Sequence, residues 1–269
     1  MSKNTDLINF ENQMLIFTEN ILNDLLVAHH ISPAQFKQLV TSEIRNNQKL
    51  QTAFVKNPKS LFASIIYCAE LGLSPNSNLG EFFLMSDGEY VKPLLGYKGI
   101  IALLNRTGNI KSIWAESVHE GDDFEYEIGL EPKLIHKPKD GIRNAFTLEY
   151  IYVVVKTITD EKLFKVMSKS ELTNTISIMP VSSDMYFNDS KDPNFWMLKK
   201  IVLKQLAKLL PKDKSGTMGL SIDDKIEGGN FLTLDESQNI VVTPIQKVNK
   251  FTKNKRNIYE TLANSNYDS

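Results

Sequence analysis

The chain has 269 residues, 42% of them hydrophobic, enough for one sizeable core with tails or for two small domains. Its 31 basic residues against 32 acidic ones give a net charge of −1, which excludes a globally basic nucleic-acid binder but not a locally basic face. Cys68 is the single cysteine, so an internal disulfide is impossible and a cysteine-based zinc centre lacks ligands. No apolar run approaches the roughly 18 residues of a membrane span, and no signal-peptide pattern opens the chain. The expectation is a soluble cytoplasmic protein.

Residues 7–56 read as helices. Leu7, Phe10, Met14, Phe17, Ile21 and Leu25 recur at three and four, an amphipathic stripe. Ser32 and Pro33 open a second helix as N-cap and first helical residue. Asn57 and Pro58 open a third, which Gly72 ends. That helix is apolar nearly all round and should be deeply buried, with Cys68 as a core thiol. The middle of the chain turns to strands. Asp87-Gly88 predicts a hairpin between 81–86 and 89–95. A helix from Tyr97 to Thr107 stops at Gly108. Strands follow at 111–119, 124–128, 133–136, 145–156 and 162–167. Ser168 and Glu171 form a capping box for a short helix, and residues 180–191 read as a loop. Asp192-Pro193 begins a long helix that Pro211 ends. Beyond about 214 the chain is polar and weakly periodic, and is expected to be a disordered tail. Helices, then consecutive strands, then a helix predict an α+β fold with a mostly antiparallel central sheet.

The balanced charge hides segregation. Tyr90 to Ala115 holds Lys92, Lys98, Arg106 and Lys111 and no acid. Glu116 to Glu131 holds seven acids and no Lys or Arg. Lys133, Lys137, Lys139 and Arg143 follow, and Lys191 to Lys214 holds seven lysines against Asp192 and Asp213. Basic segments attract phosphate by releasing counterions. The acidic segment fits the outer wall of a groove or a contact with a neighbouring subunit. On the late helix Phe195, Leu198, Val202, Leu206 and Leu209 share an apolar face. Lys200, Lys204 and Lys208 form a stripe opposite them, read as solvent face or phosphate contact. Trp196, Leu203 and Leu210 form a second seam, read first as core. In Gly96-Tyr97-Lys98-Gly99 two glycines stand where strand becomes helix. The element is a tight turn or a place where backbone N–H groups and Lys98 approach an anion, with Tyr97 stacking on a base or packing under the hairpin.

No nucleotide-cradling Gly-rich motif, paired-cysteine motif or nucleophile elbow is present. His29-His30 reads as a packed or exposed pair. His119 beside Glu120, Asp122 and Asp123 is a polar strand end or a divalent-cation cluster. Asp123, Glu131 and Lys133 approximate the ligands and base of a metal-dependent nuclease, though Pro132 interrupts the spacing.

Several ordered motifs resemble the RecT family of phage-type single-strand annealing proteins. They are Ala69 to Asn76, Gly96-Tyr97-Lys98-Gly99-Ile100-Ile101, Arg106-Thr107-Gly108, Ser112 to Tyr126 and Gly129 to Pro138. The late helix with Met197-Leu198-Lys199-Lys200, Lys204 and Leu209-Leu210-Pro211 continues the likeness, which covers roughly residues 30–212. Ile201 stands where the family pattern has Thr, and Trp196 abuts Met197 rather than standing several residues ahead. The hairpin segment Phe82 to Val91 fits in outline. The resemblance implies ATP-independent binding of single-stranded DNA and annealing of complementary strands in recombination. It implies a homo-oligomer, ring or helical filament, working beside a phage exonuclease and a host single-strand binding protein. No cofactor is expected, with a Mg²⁺ dependence of DNA binding left open. On this reading residues 1–56 serve oligomer contacts, 57–212 form the DNA-binding core and 213–269 a flexible tail. The DNA contacts expected are Lys92, Tyr97, Lys98, Gly99, Arg106 and Lys111, then Lys133, Lys137, Lys139 and Arg143, then Lys199, Lys200 and Lys204.

Overall fold

The computed structural model describes residues 21–180 and 186–245. Leu7, Phe10, Met14 and Phe17 of the first stripe, residues 181–185 of the expected loop and residues 246–269 of the expected tail lie outside the described residues.

The described N-terminal helices after the first each begin at a side-chain cap. α1 (Asn23–Ala28) buries Leu26. In α2 (Pro33–Arg45) the Ser32 hydroxyl accepts the Gln35 N–H. α3 (Gln48–Lys56) is capped by Asn47, which accepts from Lys49 and Leu50. α4 (Pro58–Glu70) starts with Asn57 accepting the Ser60 N–H at 3.1 Å and buries nine of its residues. Its far end turns at Gly72, whose φ of +58° suits glycine. Three of its last carbonyls gain outside partners: the His29 ring meets that of Glu70, and Arg106 donates to those of Leu71 and Gly72.

Among the described residues all strand pairs are antiparallel. β1 (Phe82–Asp87) and β2 (Tyr90–Leu95) form the expected hairpin, with its turn at Gly88-Glu89, one residue later than expected because Asp87 pairs with Tyr90. α5 (Tyr97–Asn105) follows at once, and Gly108 beyond it has φ +69°. β3 (Ile110–His119), β6 (Leu148–Thr157) and β7 (Lys162–Ser168) make a three-stranded sheet in the order β3-β6-β7. β4 (Asp123–Glu127) and β5 (Lys133–Lys137) form a separate ribbon between β3 and β6 in the chain. α6 (Lys169–Ser177) carries the full capping box: Ser168 accepts from Glu171, and the Glu171 carboxylate accepts the Ser168 N–H.

The sheet's two faces alternate. Ile151, Val153 and Val155 of β6 join the main core. Tyr152 and Val154 look the other way and pack with Val118 and Val166 into a small second cluster, which Phe124 and Leu134 of the ribbon cover. α7 (Trp196–Ala207) lies on the main-core face, packed against β6, β7 and α5. It ends earlier than Pro211 suggests, and Leu209, expected on the apolar face, is 80% exposed.

The C-terminal region departs most from expectation. Residues 213–245 are folded. α8 (Lys214–Glu227) is capped by Asp213, which accepts the Gly216 N–H. β8 (Asn230–Leu234) and β9 (Ile240–Pro244) form a last hairpin. Leu220, Ile226 and Leu232 belong to the same core as Leu22, so neither 57 nor 213 separates one core from another. The Tyr67 hydroxyl donates to the Gly219 carbonyl at 2.9 Å, and Tyr90 stacks on Phe231 at 4.0 Å. α8 is polar because one of its faces meets charge rather than hydrocarbon, which erases the apolar period that marks a helix in sequence.

Candidate nucleic-acid interface

Most of the expected DNA-contacting cations already have partners within the chain. Lys92 pairs with Asp87 across the hairpin turn. Lys111 pairs with Asp160 and Lys133 with Glu127, both on the surface. Lys139 pairs with Asp123. Arg143 holds the buried Asp122 at 2.8 Å. Arg106 is committed to carbonyls at the end of α4. Lys98 and Lys137 are exposed.

The lysine stripe of α7 is a correction. Lys200 and Lys204 are almost wholly buried, and α8 lies over them. Lys200 is held by Asp223 and by Glu227, and Lys204 by Asp223, Asp224 and Glu227, at 2.6–2.9 Å. Asp223 also accepts the Leu95 N–H at 3.0 Å. Burial opposes ionisation of Asp223, but Lys200 and Lys204 outweigh it and keep the carboxyl below its usual range. Burial likewise works against the Lys204 ammonium, and Asp223 and Glu227 more than offset it. Buried charges persist only when paired in this way. A signal was present: Asp223, Asp224 and Glu227 repeat at helical spacing, like Lys200, Lys204 and Lys208.

The two glycines beside Tyr97 fit the tight-turn alternative. A Cβ at Gly96 would stand 2.1 Å from the Gly80 carbonyl oxygen, and one at Gly99 would stand 2.1 Å from that of Glu81. The close approach that these glycines permit is to the chain entering β1. Tyr97 is buried, and burial, with the Glu116 carboxylate adding to it, pushes its hydroxyl up to about 12.

What the structure does assemble is the start of α7. The Asp192 carboxylate accepts the Trp196 and Met197 N–H groups at 2.9 and 2.8 Å, where the helix dipole favours an anion. Phe195 sits in the left-handed region at φ +56°, a conformation that costs a bulky residue about 1–3 kcal/mol. Its buried ring lies beside His119. This turn presents Trp196 44% exposed, while its helix neighbours Leu198, Val202 and Leu203 are buried. The indole is flanked by the Tyr97 ring at 5.2 Å and the Lys199 ammonium at 4.9 Å. Trp196 is thus not part of the core seam that Leu203 and Leu210 do join.

Two cavities are lined in part by residues of this turn. One, about 290 Å³, lies between Trp196, Tyr97, Phe83 and the loop bearing Ser77 and Asn78, with Lys98 on its wall. The other, about 510 Å³, is lined by Lys199, Arg143, His119, His136, Tyr152 and Glu116 among others. Lys199 is only 7% exposed, and its nearest acid, Glu116, is 3.9 Å away. Burial lowers its pKa, with Glu116 and Asp192 pulling the other way.

Asp122 organises the second cavity. It accepts the N–H groups of His119 and Lys139, the Arg143 guanidinium, and meets the His136 ring at 3.0 Å. Burial opposes its ionisation, yet these partners together hold its carboxyl far below the usual range. The His119 ring is spanned by Thr147 and Ser117, and burial, then Arg143, lowers its pKa. Among the described residues no three His, Cys, Asp or Glu side chains are grouped to hold a metal ion. The nuclease-like trio is also drawn apart. Asp123 pairs with Lys137 and Glu127 with Lys133, so Asp123 and Lys133 stand at opposite ends of the ribbon, roughly 13 Å of strand apart.

Comparison with known proteins adds the context that geometry cannot. The RecT family model matches residues 34–229. The chain is 30% identical over 253 residues to Protein RecT of Escherichia coli (strain K12), covering 90% of this chain and 87% of that protein. It is 36% identical over 88 residues to the Uncharacterized protein YqaK of Bacillus subtilis (strain 168), covering 33% of this chain and 30% of that one. The matched stretch contains β1 to β7, both cavities and the buried α7–α8 lysine network, and the chain belongs to the RecT family, known for single-strand annealing in recombination.

Proposed function

We propose that this protein binds single-stranded DNA without ATP, assembles as a homo-oligomeric ring or helical filament, and pairs complementary strands. The strands would be supplied by a phage exonuclease and shared with a host single-strand binding protein. The observation that carries the reading beyond family membership is the pair of cavities lined in part by the turn that starts α7. Lys98 lines one of them together with the half-exposed Trp196, and Lys199 and Arg143 line the other. Cations there neutralise phosphate without reading sequence, which leaves pairing edges free for annealing. Annealing makes and breaks no covalent bond, so it needs no acid, base or nucleophile. The N-terminal helices and the acidic ribbon are the surfaces we assign to neighbouring subunits.

The test mixes two labelled complementary oligonucleotides with the protein, with and without Mg²⁺ and with no nucleotide triphosphate. Faster duplex formation is the expected result. Cleavage of the strands, or neither annealing nor binding, would overturn the proposal.

A further inference from the structure

We propose that Trp196 is a stacking platform for one unpaired base of the bound strand, seated in the cavity between Trp196, Tyr97 and the Ser77–Asn78 loop, with Lys98 meeting that nucleotide's phosphate. The inference rests on the single-strand binding reading and adds a residue and a subsite to it.

Three observations carry it. The first is placement. Trp196 is the first residue of α7, and a strained Phe195 and a buried Asp192 fix it where it stays half exposed beside wholly buried neighbours. A tryptophan needed only for packing would gain by turning inward. The second is shape and chemistry. The cavity of about 290 Å³ is walled by Trp196, Tyr97 and Phe83 and rimmed by Ser77 and Asn78, and the Lys200 and Glu227 that also line it are paired with each other. That is the mixture of aromatic surface and few polar groups that holds a small planar ligand. The third is charge. Lys98 is exposed on the same wall, and no ion pair is formed by it among the described residues. An apolar side chain from a neighbouring protein would leave that ammonium uncompensated. A nucleotide brings a flat ring and an anion in one unit. Stacking takes the face of the base and leaves its pairing edge to other contacts, and it tolerates any sequence because every base has a π-face.

The chain has two tryptophans, Trp114 and Trp196, so Trp114→Phe makes Trp196 the single indole reporter. Trp114 is on β3 and itself 41% exposed, so the change is mild. The reporter protein is titrated with an oligothymidylate and with an abasic strand of equal length. Thymidylate should quench Trp196 emission as it binds, whereas the abasic strand should bind through phosphate without quenching. In the otherwise native chain Trp196→Ala should weaken thymidylate binding by about 5- to 150-fold, the loss of one stacked base, and leave abasic binding unchanged. Trp196→Phe, which keeps a ring and guards against a folding defect, should retain part of the affinity. If thymidylate binds with Trp196 emission and Trp196→Ala affinity both unchanged, the platform is wrong and the single-strand reading stands. If no strand binds at all, both fall.

Discussion

Lys204 and Asp223 meet at 2.7 Å beneath α8, each almost wholly shielded from water. The pair joins two helices that the sequence presents as a solvent stripe and a tail. Asp223→Ala would leave Lys200 and Lys204 buried with only Glu227 and Asp224, and the Leu95 N–H without its acceptor. Removing one side of a buried ion pair costs about 3–5 kcal/mol. Urea unfolding should show a loss of that size. A change within about 0.5 kcal/mol, the range of ordinary surface substitutions, would mean that α8 does not cover the lysines.

Truncation tests the same relationship on a larger scale. A chain ending at 212 loses Leu220, Ile226 and Leu232 from the core and leaves Lys200 and Lys204 without their carboxylates. It should fail to unfold cooperatively and should bind hydrophobic dyes. A chain ending at 245 keeps every described element and should retain a sigmoidal unfolding curve. A stable, cooperative 1–212 fragment would contradict the core described here.

The difference between what was legible and what was not follows from the range of the interactions. Asn57 and Pro58, Asp87-Gly88, Ser168 with Glu171, and Gly108 all act within a few residues, and each marks the element it predicts. α8 is specified at a distance. Gly219 is small because Leu103 and Leu71 lie against it, and its carbonyl is met by Tyr67. Periodicity shows that Lys200, Lys204 and Lys208 share a face but not whether water, phosphate or carboxylate covers it. The same limit applies to Arg106, which reads as a DNA contact and spends its donors on α4. At Trp196 the apolar spacing to Leu203 is real, but the left-handed Phe195 before it carries no sequence mark, so its half-exposed placement could not be read.

Gly99 and Lys98 are neighbours with separable roles. Gly99→Val forces atoms against the Glu81 carbonyl and should lower stability by about 1–3 kcal/mol, the size of an overpacked core change. Any loss of DNA binding should then track unfolding. Lys98→Gln, on an exposed side chain, should change stability by no more than about 0.5 kcal/mol. It should still weaken single-strand binding and flatten the slope of log K against log salt by about 0.7. Thermal melts and a salt series on both variants separate the two roles. An intact Gly99→Val protein with selective loss of binding would return the glycine to the DNA.

Acid should loosen the ribbon before the rest of the fold. His119 has its folded pKa below the ordinary 6.5, and Asp122 has its own below the ordinary 3.8. A depressed folded pKa means that the group adds stability above its unfolded value and loses it as pH falls through the folded one. His119 therefore contributes fully at pH 8 and begins to cost stability below about 6.5, because protonation must take place in a buried ring spanned by Thr147 and Ser117. Asp122 follows below about 3.8, when its carboxylate can no longer hold His136, Arg143 and two backbone N–H groups. The melting temperature should be level from pH 8 to 7 and decline in two stages. Amide exchange should rise first in β4 and β5, whose Phe124 and His136 rest on Tyr152. His119→Asn should remove the first stage and leave the second. Asp122→Ala should lower stability at neutral pH by about 1–3 kcal/mol, the cost of leaving its donors unsatisfied, and abolish the second stage. A melting temperature that rises on acidification between pH 6.5 and 5 would reverse the sign argued here for His119.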